Sequence, residues 1–156
     1  RAAGLQDEIP GKVSRVVYED RTEYALILAH RKRASIEHQY LVRPLPNGAR
    51  WAGLWDFPRT TEASFDTAGE AARQLSREIG VKVSAGKRLT TMRHAVTRYR
   101  IRLHVHAGQL DPPNQRPARP WRYVSLKEMV DLPMSVTGRK IAKLLSEERH
   151  SVSRVR

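Results

Sequence analysis

The sequence predicts an α+β fold in which one helix lies between two groups of strands and a second helix follows the last strand. Short continuous apolar runs at residues 24–29 and 40–42 are typical of strands that are buried on both faces. Residues 67–80 carry the signals of a helix with both ends capped. Residues 99–106 alternate between apolar and basic side chains, which indicates a strand with one buried face.

The first group of strands ends in an aromatic segment. The turn formers between Pro44 and Gly48 separate the strand at 40–42 from residues 51–57 (WAGLWDF), whose second half is predicted to be a strand. The basic residues 30–33 begin the connection between the first two strands. Together these segments predict three strands before the first helix.

The helix is predicted to span residues 68–79. Thr67 and Glu70 have the spacing of a capping box, in which each side chain binds a free amide of the first turn. Apolar residues then recur at helical spacing, namely Ala71, Ala72, Leu75 and Ile79. Gly80 stands where a left-handed C-terminal cap is expected.

The second half of the chain predicts a hairpin, a loop and the last helix. Residues 89–96 are a strand candidate that leads into the alternating strand at 99–106. Four of the nine prolines fall in residues 111–120, which therefore form a loop. Residues 121–124 can form a closing strand, and Ser125 can cap a brief helical turn. Ile141, Leu144 and Leu145 indicate a terminal helix that starts near Ser135 or Thr137.

Composition limits the class of protein. The 156 residues suit a single domain, and no apolar run approaches the roughly 20 residues of a membrane span, so we expect no membrane partner. The absence of cysteine excludes disulfides and thiolate-bound zinc or iron–sulfur clusters within these residues. The sequence begins at Arg1 without a leader, and we expect it to be a piece of a longer protein.

The charge of the chain indicates a polyanionic partner. Lys and Arg number 29 against 16 Asp and Glu, which gives a net charge of +13. Arginine is concentrated in residues 93–102 and 116–122. Such a field attracts nucleic acid, although many basic proteins carry solvated positive faces with no specific partner.

The helix carries a resemblance to a known family. Residues 73–81 (RQLSREIGV) resemble the end of the Nudix box, G-x5-E-x7-R-E-U-x-E-E-x-G-U, where U is aliphatic. In that family the glutamates recur at helical spacing, so their carboxylates share one face and bind magnesium. Here Gln74 and Arg77 occupy two of those three positions, and only Glu78 is retained. Counting back without gaps puts Arg59 and Phe65 at the first glycine and glutamate of the box.

This resemblance implies a Nudix-like α/β/α sandwich with a mixed sheet, one degenerate Nudix helix and a C-terminal helix. A single carboxylate cannot assemble a magnesium cluster, and Arg77 puts fixed positive charge where the cation would lie. We therefore expect no metal and no pyrophosphohydrolase activity. The alternative is an amphipathic helix whose end matches the box by chance.

A second resemblance covers most of the chain. Residues 41–43, 51–58 (WAGLWDFP), 94–98 (HAVTR) and 132–134 (LPM) resemble, in this order, the C-terminal domain of A/G-specific adenine DNA glycosylases of the MutY type. Residues 4–10 resemble the segment that follows the iron–sulfur cluster of the catalytic domain in that family. The resemblance implies a repair module that recognises 8-oxoguanine, while a separate N-terminal domain removes the mispaired adenine.

The domain organisation follows from this second resemblance. We expect residues 1–20 to be a connector after the missing catalytic domain, residues 21–147 the Nudix-like domain, and residues 148–156 a frayed or disordered tail. No cofactor is expected in this chain, whereas the catalytic domain would hold an iron–sulfur cluster. The expected partners are double-stranded DNA that contains 8-oxoguanine and the glycosylase domain in cis. By the same resemblance we expect a monomer located in the cytoplasm with the bacterial nucleoid.

The resemblance assigns recognition of the oxidised base to Val96, Thr97 and Arg98, which stand where the family commonly has Phe-Ser-His. Oxidation at C8 converts N7 of guanine from an acceptor to a donor, and a hydroxyl such as that of Thr97 can both donate and accept. Arg98 could contact a phosphate. In addition, His94, Arg93 and Arg100 are candidates for contacts to the DNA backbone.

Several of these residues could instead have a purely structural role. Thr97 could be an ordinary turn residue and Val96 a core residue, and the basic residues of 99–106 could be the solvated face of a sheet. Trp51 and Trp55 are better explained as core or loop anchors than as base-stacking groups.

Two other functions stay possible. The first is a Nudix-derived hydrolase that uses other carboxylates, such as Glu62, Asp66 or Glu70. The second is a general basic module that binds RNA or DNA without regard to oxidation.

Overall fold

The computed structural model describes residues 17–31, 36–61 and 63–155. Within these residues the chain forms six strands and three helices. The strands are β1 (Glu19–Arg31), β2 (His38–Pro44), β3 (Trp55–Asp56), β4 (Val83–Val96), β5 (Tyr99–Leu110) and β6 (Arg122–Ser125). The helices are α1 (Ala68–Ile79), α2 (Leu126–Met129) and α3 (Val136–Val155).

The strands form one mixed sheet. Its order is β3-β2-β1-β5-β4, and β6 pairs with β2. β1 and β5 run parallel along the whole register from Glu19–Tyr99 to Leu28–Gly108. β4 and β5 form a long antiparallel hairpin, and β2 is antiparallel to each of its partners. The sheet therefore has β4 at one edge and the short strands β3 and β6 beside β2 at the other.

Apolar side chains cover both faces of this sheet. Successive residues of a strand point to opposite faces, and in β1 Ala25 and Ile27 belong to one core cluster while Leu26 and Leu28 belong to the other. The first cluster packs against α2 and α3, and the second packs against α1. This arrangement confirms the predicted α/β/α sandwich and explains why residues 24–29 are continuously apolar.

Helix α1 has the predicted bounds. The Thr67 hydroxyl accepts the backbone N–H of Glu70 at 3.2 Å, so it satisfies an amide that has no partner within the first turn. Gly80 ends the helix in the left-handed conformation (φ 81°), and its N–H donates to the carbonyl of Ser76. The short helix α2 is also capped as predicted, because Ser125 and Glu128 form a complete capping box.

The first strand and the connector differ from the prediction. β1 begins at Glu19, so residues 19 and 20, expected in the connector, belong to the sheet. The reason is the long parallel pairing with β5, which a local pattern cannot reveal. The remaining prediction of a connector falls on residues 1–16, which lie outside the described residues.

β4 and the terminal helix are longer than predicted. β4 begins at Val83, and register shifts between Ala85, Arg88 and Thr90 break the alternation that would have marked its first half. α3 continues through residues 148–155, which were expected to be frayed or disordered, because no proline and no glycine after Gly138 interrupts it.

No helix in the described part of the chain is both long enough and apolar enough to cross a membrane.

Candidate functional site

The three degenerate Nudix positions lie together on α1, where they form a chain of hydrogen bonds. Nη2 of Arg77 donates to Oε1 of Gln74 at 2.8 Å, and Nε2 of Gln74 donates to Oε2 of Glu78 at 3.4 Å. The other carboxylate oxygen of Glu78 accepts from Nη2 of Arg43 at 3.0 Å. Both oxygens of the one retained carboxylate are therefore already bound by protein groups.

This donor set does not fit a magnesium ion. Magnesium requires several anionic oxygens in octahedral geometry, whereas Gln74 supplies an amide and Arg77 a cation. Within residues 17–31, 36–61 and 63–155, no group of three or more His, Asp or Glu side chains could hold a metal ion.

The carboxylates proposed as alternative metal ligands, Glu62, Asp66 and Glu70, do not replace the glutamates that α1 lacks. Glu70 accepts from the Thr67 hydroxyl at the start of α1, at 3.2 Å. Asp66 contributes its backbone carbonyl to the hydroxyl of Tyr24, at 3.2 Å. Glu62 lies outside the described residues. The described carboxylates therefore give no converging set in place of the family's glutamates.

The proposed recognition residues form the loop of the β4–β5 hairpin. Val96 pairs with Tyr99, so Thr97 and Arg98 make a two-residue loop, and both are exposed. Thr97 has a left-handed backbone (φ 50°), which is uncommon for a β-branched residue. Its hydroxyl donates to the carbonyl of Val96 at 2.7 Å. The Val96 side chain packs against the core cluster on the α3 side, whereas its neighbour Thr97 is exposed and more accessible to a ligand.

Arg93 and Arg100 lie on one face of the sheet with Arg102. Arg93 is directly opposite Arg102 in the register, and Arg100 follows at the next position of the same face. We call Arg93, Arg100 and Arg102 the arginine face. These three residues line an open cleft of about 580 Å³. Asp20 also lines it and forms an exposed ion pair of 3.0 Å with Arg100.

His94 lines the same cleft as the arginine face, although its side chain belongs to the opposite face of the sheet from that of Arg93, its neighbour in β4. It is directly opposite Ile101, and its ring lies 6.1 Å from that of Trp51. Neither ring nitrogen has a hydrogen-bond partner among the described residues, and both are buried. Burial lowers the pKa of His94, and the nearby guanidinium of Arg59 lowers it further. A neutral imidazole is a poor ligand for phosphate.

An ionic cluster of Glu23, Asp56 and Arg59, which are buried, and Arg50, which is partly buried, was not expected from the sequence. Nη2 of Arg59 lies 2.8 Å from Oε1 of Glu23, and its Nη1 lies 3.5 Å from Oδ2 of Asp56. Nη2 of Arg50 lies 3.0 Å from Glu23. Burial raises the pKa of Asp56, and the charge of Arg59 opposes this effect. The only hint in the sequence was an arginine at the position of the box's first glycine.

The ionic cluster lies beneath Trp51, whose backbone is left-handed (φ 63°). The guanidinium carbons of Arg50 and Arg59 lie 4.6 and 5.7 Å from the centre of its ring. Cations over an indole face are stabilised by the ring quadrupole. Trp51 is therefore an anchor of its loop, and Trp55 packs against the core. Both roles agree with the interpretation that these tryptophans are structural and do not stack on bases.

Comparison with known proteins supports the Nudix resemblance. A family model described as NUDIX domain matches residues 26–144. A search of curated proteins gives no match. Among solved structures, the Nudix hydrolase RenU from M. smegmatis has a TM-score of 0.65 at 15% identity, over 86% of this chain and 89% of that chain.

Two further solved structures have the same fold. The E. coli ORF135 protein has a TM-score of 0.64 at 18% identity, covering 86% of this chain and 94% of that chain. The C-terminal domain of mouse MUTYH, solved with human PCNA, has a TM-score of 0.58 at 20% identity, with coverages of 82% and 88%. At these identities the likeness concerns the fold, and it confirms the Nudix-like sandwich expected from the sequence.

Proposed function

This chain belongs to the NUDIX domain family, and from that premise we propose that it uses the fold to recognise 8-oxoguanine in DNA and not to hydrolyse a pyrophosphate. We propose further that it is the C-terminal domain of an adenine DNA glycosylase of the MutY type. In such an enzyme a separate catalytic domain, which holds an iron–sulfur cluster, would remove the adenine opposite the oxidised base. The ordered motifs at 51–58 and 94–98 support this assignment, and the mouse MUTYH domain has the same fold.

The observation that carries the proposal is the position of Thr97. Its hydroxyl lies on an exposed two-residue loop at the end of the hairpin whose strands carry the arginine face. Cations that neutralise phosphates supply affinity without sequence preference, whereas a group that reaches a base edge supplies specificity. The arginine face would supply the affinity for phosphates, and the hairpin loop would supply the specificity for the base.

The hydrogen bond of Thr97 gives a physical basis for discrimination. The hydroxyl proton is donated to the carbonyl of Val96, so the oxygen keeps lone pairs that can accept. In 8-oxoguanine N7 carries a proton and can donate to this oxygen, whereas in guanine N7 is itself an acceptor. Two acceptors facing each other repel, so as long as the hydroxyl donates to Val96, its oxygen would pair with the oxidised base and not with guanine. A single hydrogen bond of this kind contributes about 0.5–1.5 kcal/mol.

The proposal is tested by direct binding of this chain to two duplexes that differ only by 8-oxoguanine in place of guanine. Fluorescence anisotropy at one fixed salt concentration gives the ratio of the two dissociation constants. We expect a preference of about tenfold for the oxidised duplex. Thr97→Ala should abolish most of this preference, and the matched variant Thr97→Ser, which keeps the hydroxyl, should retain it.

Two results would contradict the proposal. Equal affinity for both duplexes at matched salt would indicate the general basic nucleic-acid-binding module. An intact preference in Thr97→Ala would show that the hydroxyl is not the discriminating group.

The second candidate is a hydrolase, which family membership and the Nudix hydrolase RenU among the similar structures favour. Its test is magnesium-dependent release of phosphate or nucleotide from nucleoside diphosphate derivatives. We expect none, because both oxygens of Glu78 are bound and Arg77 replaces a carboxylate.

A further inference from the structure

An open groove of about 380 Å³ lies between α2 and α3. The two helices pack on the face of the sheet that carries Ile101 and Leu103 of β5, so the side chain of Arg102, which stands between them, belongs to the other face. A duplex held by the arginine face therefore leaves this groove uncovered. We call it the α2–α3 groove.

Apolar side chains form a large part of the lining of the α2–α3 groove. Leu126 and Met129 belong to α2, Val130 directly follows it, and Ala142 belongs to α3. Met129 is fully buried in the core, whereas the side chain of Val130 is 71% exposed. A single exposed apolar side chain is ordinary on a protein surface, but this one borders an apolar concavity. Covering both would remove apolar area from water, which favours binding.

Two lysines of α3 also line the groove. Lys140 and Lys143 are neighbours on the surface of the helix because they are three residues apart. Both are exposed, and neither forms an ion pair within the described residues. Among the described residues that line the groove, only Glu147, one turn beyond Lys143, is acidic. The groove therefore has a positive part at the two lysines and a negative end at Glu147.

The two helices that form the groove are fixed to each other by Arg139. Its Nη1 donates to the carbonyl of Met129 at 2.9 Å, and its Nη2 donates to the carbonyl of Leu132 at 2.6 Å. The capping box of Ser125 and Glu128 holds the other end of α2. A groove whose walls are already in place needs less ordering when a ligand binds. Because Arg139 is bound in this way, the two lysines are the cations left for a partner.

The lining favours one of the common modes of peptide recognition. An added β-strand needs a free sheet edge, whereas this groove is formed by two helices. A proline-rich segment binds between aromatic side chains, and single-stranded nucleic acid stacks its bases on them. No aromatic side chain of the described chain lines the groove. An amphipathic helix instead places apolar side chains from successive turns into an apolar groove.

We propose that the α2–α3 groove binds an amphipathic helical segment of another protein. The apolar side chains of that segment lie in the groove beside Val130, and its acidic side chains contact Lys140 and Lys143. The acidic residues are confined to one end of the segment, because Glu147 repels them at the other end. The site is separate from the hairpin loop and the arginine face, so the chain can bind this partner and DNA at the same time.

The probe for this proposal is a synthetic peptide of about 14 residues, which makes four turns of helix. Leucines at helical spacing form one face of the peptide, and glutamates occupy one end of the other face. Fluorescence anisotropy measures its binding to the whole chain. One control peptide has lysines in place of the glutamates, and another has alanines in place of the leucines. We expect each control to bind about tenfold more weakly or worse, because it lacks one of the two complementary features.

Matched variants of the chain locate the binding site. Val130→Asp should weaken binding of the acidic peptide by about tenfold or more, because a charge replaces an apolar contact. Its control is Val136→Asp, since Val136 is also 71% exposed but does not line the groove. Lys143→Glu should weaken binding as well, whereas Lys127→Glu, at an exposed position of α2 outside the groove, should have little effect. Thr97→Ala should leave the peptide affinity unchanged, so this test and that of the hairpin loop fail separately.

Four results would overturn the proposal. The first is no binding of the acidic peptide, and the second is equal binding of the glutamate and lysine peptides. The third is equal weakening by Val130→Asp and Val136→Asp, which would indicate added negative charge alone. The fourth is binding of the chain to phosphatidylglycerol vesicles that Val130→Asp abolishes, because the groove would then meet a lipid surface.

Discussion

Arg59 and Glu23 form a buried ion pair in which Nη2 and Oε1 are 2.8 Å apart and neither side chain is more than 1% exposed. The two residues belong to different segments of the chain, and their contact joins the segment after β3 to β1. A buried charge that loses its partner is strongly destabilising. Glu23 keeps Arg50 and the more distant Arg21 as further partners, but Asp56 depends on Arg59 for its ion pair.

Replacing Arg59 with methionine should lower the free energy of unfolding by about 3–5 kcal/mol, because Glu23 and Asp56 remain buried without their shared cation. Urea denaturation of the variant and the native chain gives this difference. The control is Asp20→Asn, which breaks the exposed pair with Arg100 and should change stability by less than about 1 kcal/mol. If both changes lowered the free energy of unfolding equally, burial would not determine how much the ion pair of Arg59 contributes to stability.

Thr97→Gly should stabilise the isolated chain by about 0.5–1 kcal/mol, even though it removes the hydroxyl proposed for recognition. The reason is the positive φ of Thr97, which glycine adopts without strain. Thr90→Gly, in the body of β4, should do the reverse because glycine weakens a strand interior. Thermal denaturation of both variants checks the two signs, and destabilisation by Thr97→Gly would mean that the loop is not strained.

The arginine face should determine the salt dependence of DNA binding. The slope of log K against log salt concentration should become shallower by about 0.9 for each phosphate that the protein no longer neutralises. We expect Arg93→Gln and Arg102→Gln each to have this effect on an unmodified duplex. Lys143→Gln is the matched control, because Lys143 is exposed on α3, which packs on the opposite face of the sheet. The prediction fails if the slope changes as much in the control.

His94 should make the fold sensitive to mild acid. Its pKa is lowered in the folded chain, so on acidification the unfolded chain takes up this proton first, near the ordinary value of about 6.5. Stability is therefore fully present above that pH and is lost as the pH falls towards the folded pKa, with a slope of up to about 1.4 kcal/mol per pH unit. Urea denaturation between pH 7.5 and 5.5 should show a smaller loss in His94→Gln than in the native chain. Between pH 7.5 and 8.5 the slopes of the two proteins should agree, and a difference there would rule out His94 as the cause.

Local signals in the sequence predicted the helices and strands well where a few neighbouring residues define an element. Thr67 and Gly80 set the ends of α1 because capping depends on the residues of one turn. The start of β1 at Glu19 was not predictable in this way. Its first residues are polar, and they are held by β5, about eighty residues further along the chain.

Contacts between distant segments explain why parts of the candidate site could not be predicted. The pair of Arg59 and Glu23 depends on how the segment after β3 crosses β1, and no spacing within the sequence reports that crossing. The orientation of His94 was available from the sequence, because adjacent strand residues point to opposite faces and His94 follows Arg93.

The backbone N–H of Glu19 donates to the carbonyl of Arg98 at 2.8 Å, so the first residue of β1 is joined directly to the hairpin loop. The described chain thus enters the domain beside the residues proposed to meet the oxidised base. The carbonyl of Arg98 is thereby held by a main-chain hydrogen bond to β1, and Arg98 is the direct neighbour of Thr97 in the hairpin loop.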